Sequence, residues 1–137
     1  MLEQSAFTLE KHSTRHKTIL VVDDDSDFRT CLVQILQEET PYHVVFASDA
    51  FEALRLIGQL HCDLFLLDYQ LPGIDGLDLY DLLRSTPGHE AVAAICISAS
   101  SRLSKHELAK RNLICLHKPL ELDDLLKEIQ RLIGAAK

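Results

Sequence analysis

Residues 64–76 read LFLLDYQLPGIDG, and this stretch decides the fold. Its apolar start is typical of a strand buried in a sheet, but the run ends on the acid Asp68. A buried carboxylate without a partner is costly, so an acid at this position needs a compensating group. The Pro72–Gly73 pair then predicts a turn directly after the strand. The stretch therefore predicts a central strand that delivers an acid to one edge of a sheet.

The same unit, a buried strand followed by an amphipathic helix, recurs along the whole chain. Strands are predicted at 18–23, 42–47, 63–68, 92–98 and 113–117, and helices at 26–38, 49–59, 76–85, 101–111 and 121–133. Apolar strands alternating with amphipathic helices are typical of a parallel sheet covered on both faces. With right-handed crossovers, five such units predict an α/β flavodoxin-like (βα)5 fold, doubly wound, with strand order 2-1-3-4-5.

The 137 residues are expected to form one domain. Residues 1–17 are mostly polar and are predicted to be an N-terminal tail, residues 18–134 to be the domain, and residues 135–137 to be its C-terminal end. His12 and His16 have the spacing of a metal-binding pair. A solvated tail is the preferred interpretation, because most zinc sites need three or four ligands.

Charge and hydropathy exclude several classes of function. The formal charge of −7 argues against sequence-independent nucleic-acid binding, which needs a basic surface. The N-terminus lacks the apolar segment of a secretory signal, and no apolar run is long enough to span a membrane. We therefore expect a cytoplasmic protein that binds neither nucleic acid nor membrane.

Side chains without a shared pattern are given structural interpretations. Cys31, Cys96 and Cys115 fall within apolar runs, and they are expected to be small buried residues rather than disulfides or metal ligands. The histidines outside the tail are expected at solvated or edge positions. They are His43, His61, His89, His106 and His117.

Polar residues follow four of the predicted strands. The first strand ends in Asp23, Asp24 and Asp25, the third in Asp68, the fourth in Ser98 and the fifth in Lys118. Parallel strands place their carboxyl ends at one edge, so these side chains are expected to share a crevice. Clustered carboxylates suit Mg²⁺. With that charge offset, Asp68 can act as a nucleophile towards phosphorus, and Lys118 and Ser98 can contact the phosphoryl oxygens.

Four segments resemble the motifs of bacterial response-regulator receiver domains, the CheY-like phosphoproteins of two-component and phosphorelay signalling. They are TILVVDDDSDFR, LFLLDYQLPGIDG, ICISA and HKPL, and the resemblance covers about residues 18 to 134. It implies that Asp68 accepts a phosphoryl group from a phosphohistidine of a histidine kinase or histidine phosphotransfer protein. It also implies Mg²⁺ ligands at Asp23, Asp24, Asp68 and the backbone carbonyl of Gln70.

The resemblance assigns further roles, with two departures. It implies a switch hydroxyl at Ser98, a phosphate-contacting lysine at Lys118 and a cis bond before Pro119. Cys115 stands where the family has an aromatic residue that moves on activation, and residues 110–112 replace a turn of small residues. The implied output is contact with a downstream effector, or a homodimer formed through the fourth helix, fifth strand and fifth helix.

Three functions are compatible with these residues. The favoured one is a switch that catalyses only its own phosphorylation and dephosphorylation, so it is not an enzyme acting on a separate substrate. A receiver-fold interaction module that is not phosphorylated is the alternative, because Cys115 departs from the family pattern. A phosphatase with Asp68 as nucleophile fits poorly, since Gln70 stands where the general acid is needed.

Overall fold

The computed structural model describes residues 16–100 and 103–134, and it contains a five-stranded parallel sheet. The strands are β1 (Thr18–Val22), β2 (His43–Ala47), β3 (Leu64–Asp68), β4 (Ala93–Ser98) and β5 (Ile114–His117). Their order is β2-β1-β3-β4-β5, so the predicted flavodoxin-like order 2-1-3-4-5 is confirmed. All five carboxyl ends therefore lie along one edge of the sheet.

Each strand is followed by a helix. The helices are α1 (Ser26–Glu39), α2 (Ala50–Ile57), α3 (Gly76–Arg84), α4 (Lys105–Lys110) and α5 (Leu122–Ile133). Four agree closely with the prediction, but α4 begins later than the predicted residue 101. The predicted tail up to residue 15, including His12, and the end at 135–137 lie outside the described residues.

Acidic and hydroxyl side chains fix the starts of four helices. Asp25, Asp49, Asp75 and Ser104 each accept a hydrogen bond from a backbone N–H in the first turn of the helix that follows. Such caps satisfy N–H groups that have no partner within the helix. These caps define the residue at which each of the four helices begins.

The sheet separates two apolar layers. On one face Phe65, Leu67 and Cys96 pack with α2 and α3, and on the other Leu66 and Ile97 pack with α1 and α5. Successive residues of a strand point to opposite faces, so the continuous apolar strands fill both layers. No helix within the described residues has the length and apolar character needed to cross a membrane.

Two of the structural interpretations are wrong. Cys31 is exposed, because it lies on the solvent side of α1 next to the buried Leu32. His89 is buried beneath the ring of His61, with the two ring centroids 5.0 Å apart. Its Nε2 accepts a hydrogen bond from the backbone N–H of Cys62 at 3.1 Å, which satisfies part of its polarity away from solvent.

Candidate functional site

Three carboxylates meet at the carboxyl edge of the sheet. Oxygen atoms of Asp23, Asp24 and Asp68 lie within 4.8 Å of one another. Asp23 directly follows β1 and Asp68 ends the neighbouring strand β3, so the sheet register places them together. Asp23 and Asp68 are 2% and 6% exposed, whereas Asp24 faces solvent. Among the described residues, Asp24 is therefore the member of the cluster through which solvent and ions can approach.

Lys118 brings a positive charge into contact with two carboxylates of this cluster. Its Nζ lies 3.1 Å from Oδ2 of Asp23 and 3.6 Å from Oδ1 of Asp68. The same ammonium lies 4.2 Å from the ring centroid of Phe28, a distance suited to a cation–π contact. The predicted cis bond is present between Lys118 and Pro119. The ammonium of Lys118 thus contacts both buried acids at the carboxyl edge of the sheet.

The electrostatics of Asp68 follow from this packing. Burial and the charge of Asp23 raise the pKa of Asp68 to about 6, although Lys118 and the backbone N–H of Gln70 partly oppose that change. Three carboxylates and one ammonium leave the cluster with excess negative charge. Oxygen ligands of this kind, open to solvent on one side, fit a hard divalent cation such as Mg²⁺.

The loop after Asp68 is ordered by its own backbone. Gln70–Leu71 pairs with Ile74–Asp75 in a short antiparallel ladder, and Gly73 takes a positive φ of 76° in the turn between them. The N–H of Gly76 donates to the carbonyl of Tyr69 at 2.7 Å. A Cβ at position 76 would lie 2.6 Å from the carbonyl oxygen of Asp68. Only glycine lets α3 begin this close to the end of β3.

Ser98 and Gln70 lie beside the acidic cluster, but their predicted roles remain predictions. The Ser98 hydroxyl is fully buried, accepts from the N–H of Ser100 at 2.9 Å and donates to its carbonyl at 3.3 Å. The Gln70 N–H donates to Oδ1 of Asp68 at 3.4 Å, and its side chain is exposed. In this arrangement Ser98 is engaged by a local turn.

The region around α4 contains a contact that sequence reasoning missed. Arg111 bonds Asp81 of α3 at 2.9 Å and Glu107 of α4 at 2.9 Å, which links the two helices. Asn112 follows with a positive φ of 60°. Asparagine adopts this conformation more readily than most residues, so Asn112 can form the turn for which the family uses small residues. Asn112 was the available sequence signal for this turn, but nothing in the sequence paired Arg111 with Asp81.

Known proteins share the sequence pattern that builds this site. The family model described as the response regulator receiver domain matches residues 19–130. The chain belongs to the response regulator receiver family. Receiver domains act in two-component signalling, where they interact with histidine kinases and effectors.

Relatives of this receiver differ greatly in length. The chain is 31% identical to the response regulator receiver protein CpdR of Brucella abortus, covering 88% of this chain and 99% of that protein. It is 36% identical to the cyclic di-GMP phosphodiesterase response regulator RpfG of Xanthomonas campestris, covering 58% of this chain but only 21% of RpfG. The receiver region therefore occurs both as nearly a whole protein and as one part of a longer one.

A solved relative carries a metal. Response regulator TrrA of Thermotoga maritima, solved in complex with Mg²⁺ and BeF, is 30% identical to this receiver, with a TM-score of 0.74 and coverage of 85% of this chain and 99% of that one. The acidic cluster of this receiver supplies oxygen atoms able to hold a metal.

Proposed function

We propose that this receiver accepts a phosphoryl group on Asp68 from the phosphohistidine of a histidine kinase or histidine phosphotransfer protein. The observation that supports it most is the position of Asp68, buried at the end of β3 with the ammonium of Lys118 at 3.6 Å. Asp23, Asp24, Asp68 and the backbone carbonyl of Gln70 would hold Mg²⁺. When bound, this ion supplies positive charge that offsets the carboxylates and the phosphoryl oxygens.

In the proposed transfer, the protein contributes mainly correctly positioned side chains and positive charge near the phosphoryl group. A carboxylate oxygen of Asp68 attacks phosphorus, the P–N bond to the donor imidazole breaks, and the departing imidazole takes a proton from solvent. Lys118 sits where it can balance the charge on the transferred group. The receiver would promote only its own phosphorylation and the later hydrolysis of the acyl phosphate, so it is not an enzyme acting on a separate substrate.

The proposed output is a change in protein contacts. Phosphorylation adds charge beside Ser98 and Lys118, at the ends of β4 and β5. Those strands lead into α4 and α5, the surface through which an effector or a second copy of the chain would bind. The proposal therefore places signal reception at the carboxyl edge and its readout on the neighbouring α4–β5–α5 surface.

Phosphorylation can be tested without the native kinase. The protein is incubated with Mg²⁺ and a small acyl phosphate, and its intact mass is then measured. We expect a phosphate adduct on the wild type and on Asp78→Asn, which removes an exposed acid of α3, but none on Asp68→Asn. Absence of an adduct on the wild type, or its persistence in Asp68→Asn, contradicts the proposal.

A second candidate is a receiver that binds partners without being phosphorylated. The engagement of the Ser98 hydroxyl by Ser100, and the thiol of Cys115 in place of an aromatic residue, favour it. It predicts Mg²⁺ binding to the acidic cluster without any adduct. Mg²⁺ titration of the wild type and of Asp24→Ala accompanies the mass measurement. Mg²⁺ binding by the wild type without an adduct supports the second candidate, whereas absence of Mg²⁺ binding shows that the metal site itself is not functional.

A further inference from the structure

Two cysteines face each other across neighbouring strands. Cys96 of β4 and Cys115 of β5 are direct partners in the register of the sheet, so their side chains project from the same face. The two thiols interact closely enough for each to change the pKa of the other. Neighbouring strands lie about 4.8 Å apart, within the roughly 4.4–6.8 Å between Cα atoms that a disulfide spans. The register therefore brings the two cysteines to a Cα separation that a disulfide can span.

The two thiols differ in environment. Cys96 is 1% exposed and lies within the apolar layer, whereas Cys115 is only partly buried and packs at the margin of that layer. The interaction between the two thiols, together with burial, raises the pKa of Cys96, while the same interaction lowers the pKa of Cys115 against the effect of its partial burial. Cys115 is thus the accessible thiol that ionises more readily, and Cys96 is the protected partner beside it.

We propose that Cys96 and Cys115 form a redox-sensitive pair that a peroxide converts into an intramolecular disulfide. The sulfur of Cys115, as thiolate, attacks one peroxide oxygen, the O–O bond breaks, and the departing hydroxide takes up a proton to give water. The resulting sulfenic acid is attacked by the sulfur of Cys96, whose proton leaves with the hydroxyl as a second water. Two thiols are oxidised by two electrons and one hydrogen peroxide is reduced to two waters.

The other cysteines do not share this arrangement. Cys31 is exposed on α1. Cys62 is buried just before the start of β3, where burial and Asp63 raise the pKa of its thiol to about 12. Neither has another cysteine as its register partner in the described strands. The pair goes beyond phosphoryl acceptance, because its disulfide would tie β5 to β4 whether or not Asp68 is modified.

The tryptic map of the chain makes the pair directly testable. Cleavage after lysine and arginine, except before proline, places Cys31, Cys62, Cys96 and Cys115 in four separate peptides, 30–55, 56–84, 85–102 and 112–127. The full chain is treated with hydrogen peroxide, quenched, alkylated with N-ethylmaleimide, digested and analysed by mass spectrometry. We expect peptide 85–102 linked to peptide 112–127, and loss of that species when a dithiol reductant precedes alkylation.

Matched variants separate this pair from general thiol oxidation. Cys31→Ser should leave the linked peptide unchanged, whereas Cys115→Ser should abolish it and leave Cys96 alkylated under denaturing conditions. The wild-type map decides the matter even if a variant does not fold. Sulfinic acid on Cys115 with Cys96 still reduced, disulfides formed only between chains through Cys31, or four reduced cysteines after excess peroxide would each overturn the proposal.

Discussion

The ammonium of Lys118 lies 3.1 Å from Oδ2 of Asp23, closer than its 3.6 Å approach to Oδ1 of Asp68. Its shorter contact is therefore with an acid other than the proposed acceptor. Asp23 is 2% exposed, and a buried carboxylate of this kind depends on a charged partner. Lys118 accordingly has two tasks, since it stabilises Asp23 in the fold and stands beside Asp68 for the proposed chemistry.

Replacing this lysine should affect both tasks. In Lys118→Met we expect the free energy of unfolding to fall by about 1–3 kcal/mol at neutral pH, because Asp23 loses its cationic partner. The rate of adduct formation on Asp68 should fall by about 100-fold, as on removal of other charge-stabilising groups. Urea denaturation and time-resolved intact mass measure the two effects. Lys127→Met, at an exposed lysine of α5, is the control and should change neither; equal losses in both variants would contradict the assignment.

The raised pKa of Asp68 predicts that the acceptor destabilises the metal-free fold. Between about pH 4 and pH 6 the folded chain binds more protons than the unfolded chain, so this group lowers stability as the pH rises. Asp68→Asn removes that effect. In the presence of a chelator, the variant should be more stable than the wild type by about 1–3 kcal/mol at pH 7.5 and nearly equal to it at pH 4. A difference that is absent at pH 7.5, or that does not shrink on acidification, would argue against it.

His89 should act in the opposite direction. Burial, reinforced by the neighbouring His61, lowers the pKa of His89 in the folded protein. Below about pH 6.5 the unfolded state therefore takes up a proton more readily, and stability is lost as the pH falls. His89→Gln should flatten the decline in unfolding free energy between pH 7 and pH 5. His106→Gln, at an exposed position of α4, should retain the wild-type slope; identical slopes in all three proteins would refute the prediction.

Gly76 should tolerate no side chain. In Gly76→Ala the new methyl would meet the carbonyl of Asp68 at 2.6 Å, so β3 and α3 would have to separate. Such overpacking costs about 1–3 kcal/mol. Gly58→Ala is the matched control, because its Cβ would lie 3.4 Å from the nearest atom and its φ of −75° suits any residue. Thermal denaturation of both variants tests this, and comparable melting temperatures would show that position 76 has room.

The sheet and the composition of the site were accessible from sequence for a simple reason. Buried parallel strands leave long apolar runs, and the residue that ends each run must lie at the same edge. Asp23, Asp68 and Lys118 could therefore be brought together before any distance was known. The caps Asp49 and Asp75 accept from N–H groups three residues further along the chain, so contacts of this kind are local in sequence.

The features that could not be predicted are contacts between side chains that are far apart in the sequence. The contact of Arg111 with Asp81 spans 30 residues, and the burial of His89 depends on a backbone N–H 27 residues away. No periodicity encodes such pairs. Cys31 was misassigned because it adjoins buried positions on α1, where a rotation of one residue separates the core from solvent. The local turn that engages Ser98 is likewise invisible without coordinates.

The short ladder between Gln70–Leu71 and Ile74–Asp75 has a consequence for ligand affinity. A loop that becomes ordered only on binding subtracts its lost conformational entropy from the affinity. Here the segment after Asp68 is already closed by paired backbone and by the bond from the Gly76 N–H to Tyr69. That entropy is lost during folding, before any cation or donor arrives. The strength of cation binding should therefore follow the charge and hydration of the three carboxylates, with little contribution from ordering of LPGIDG.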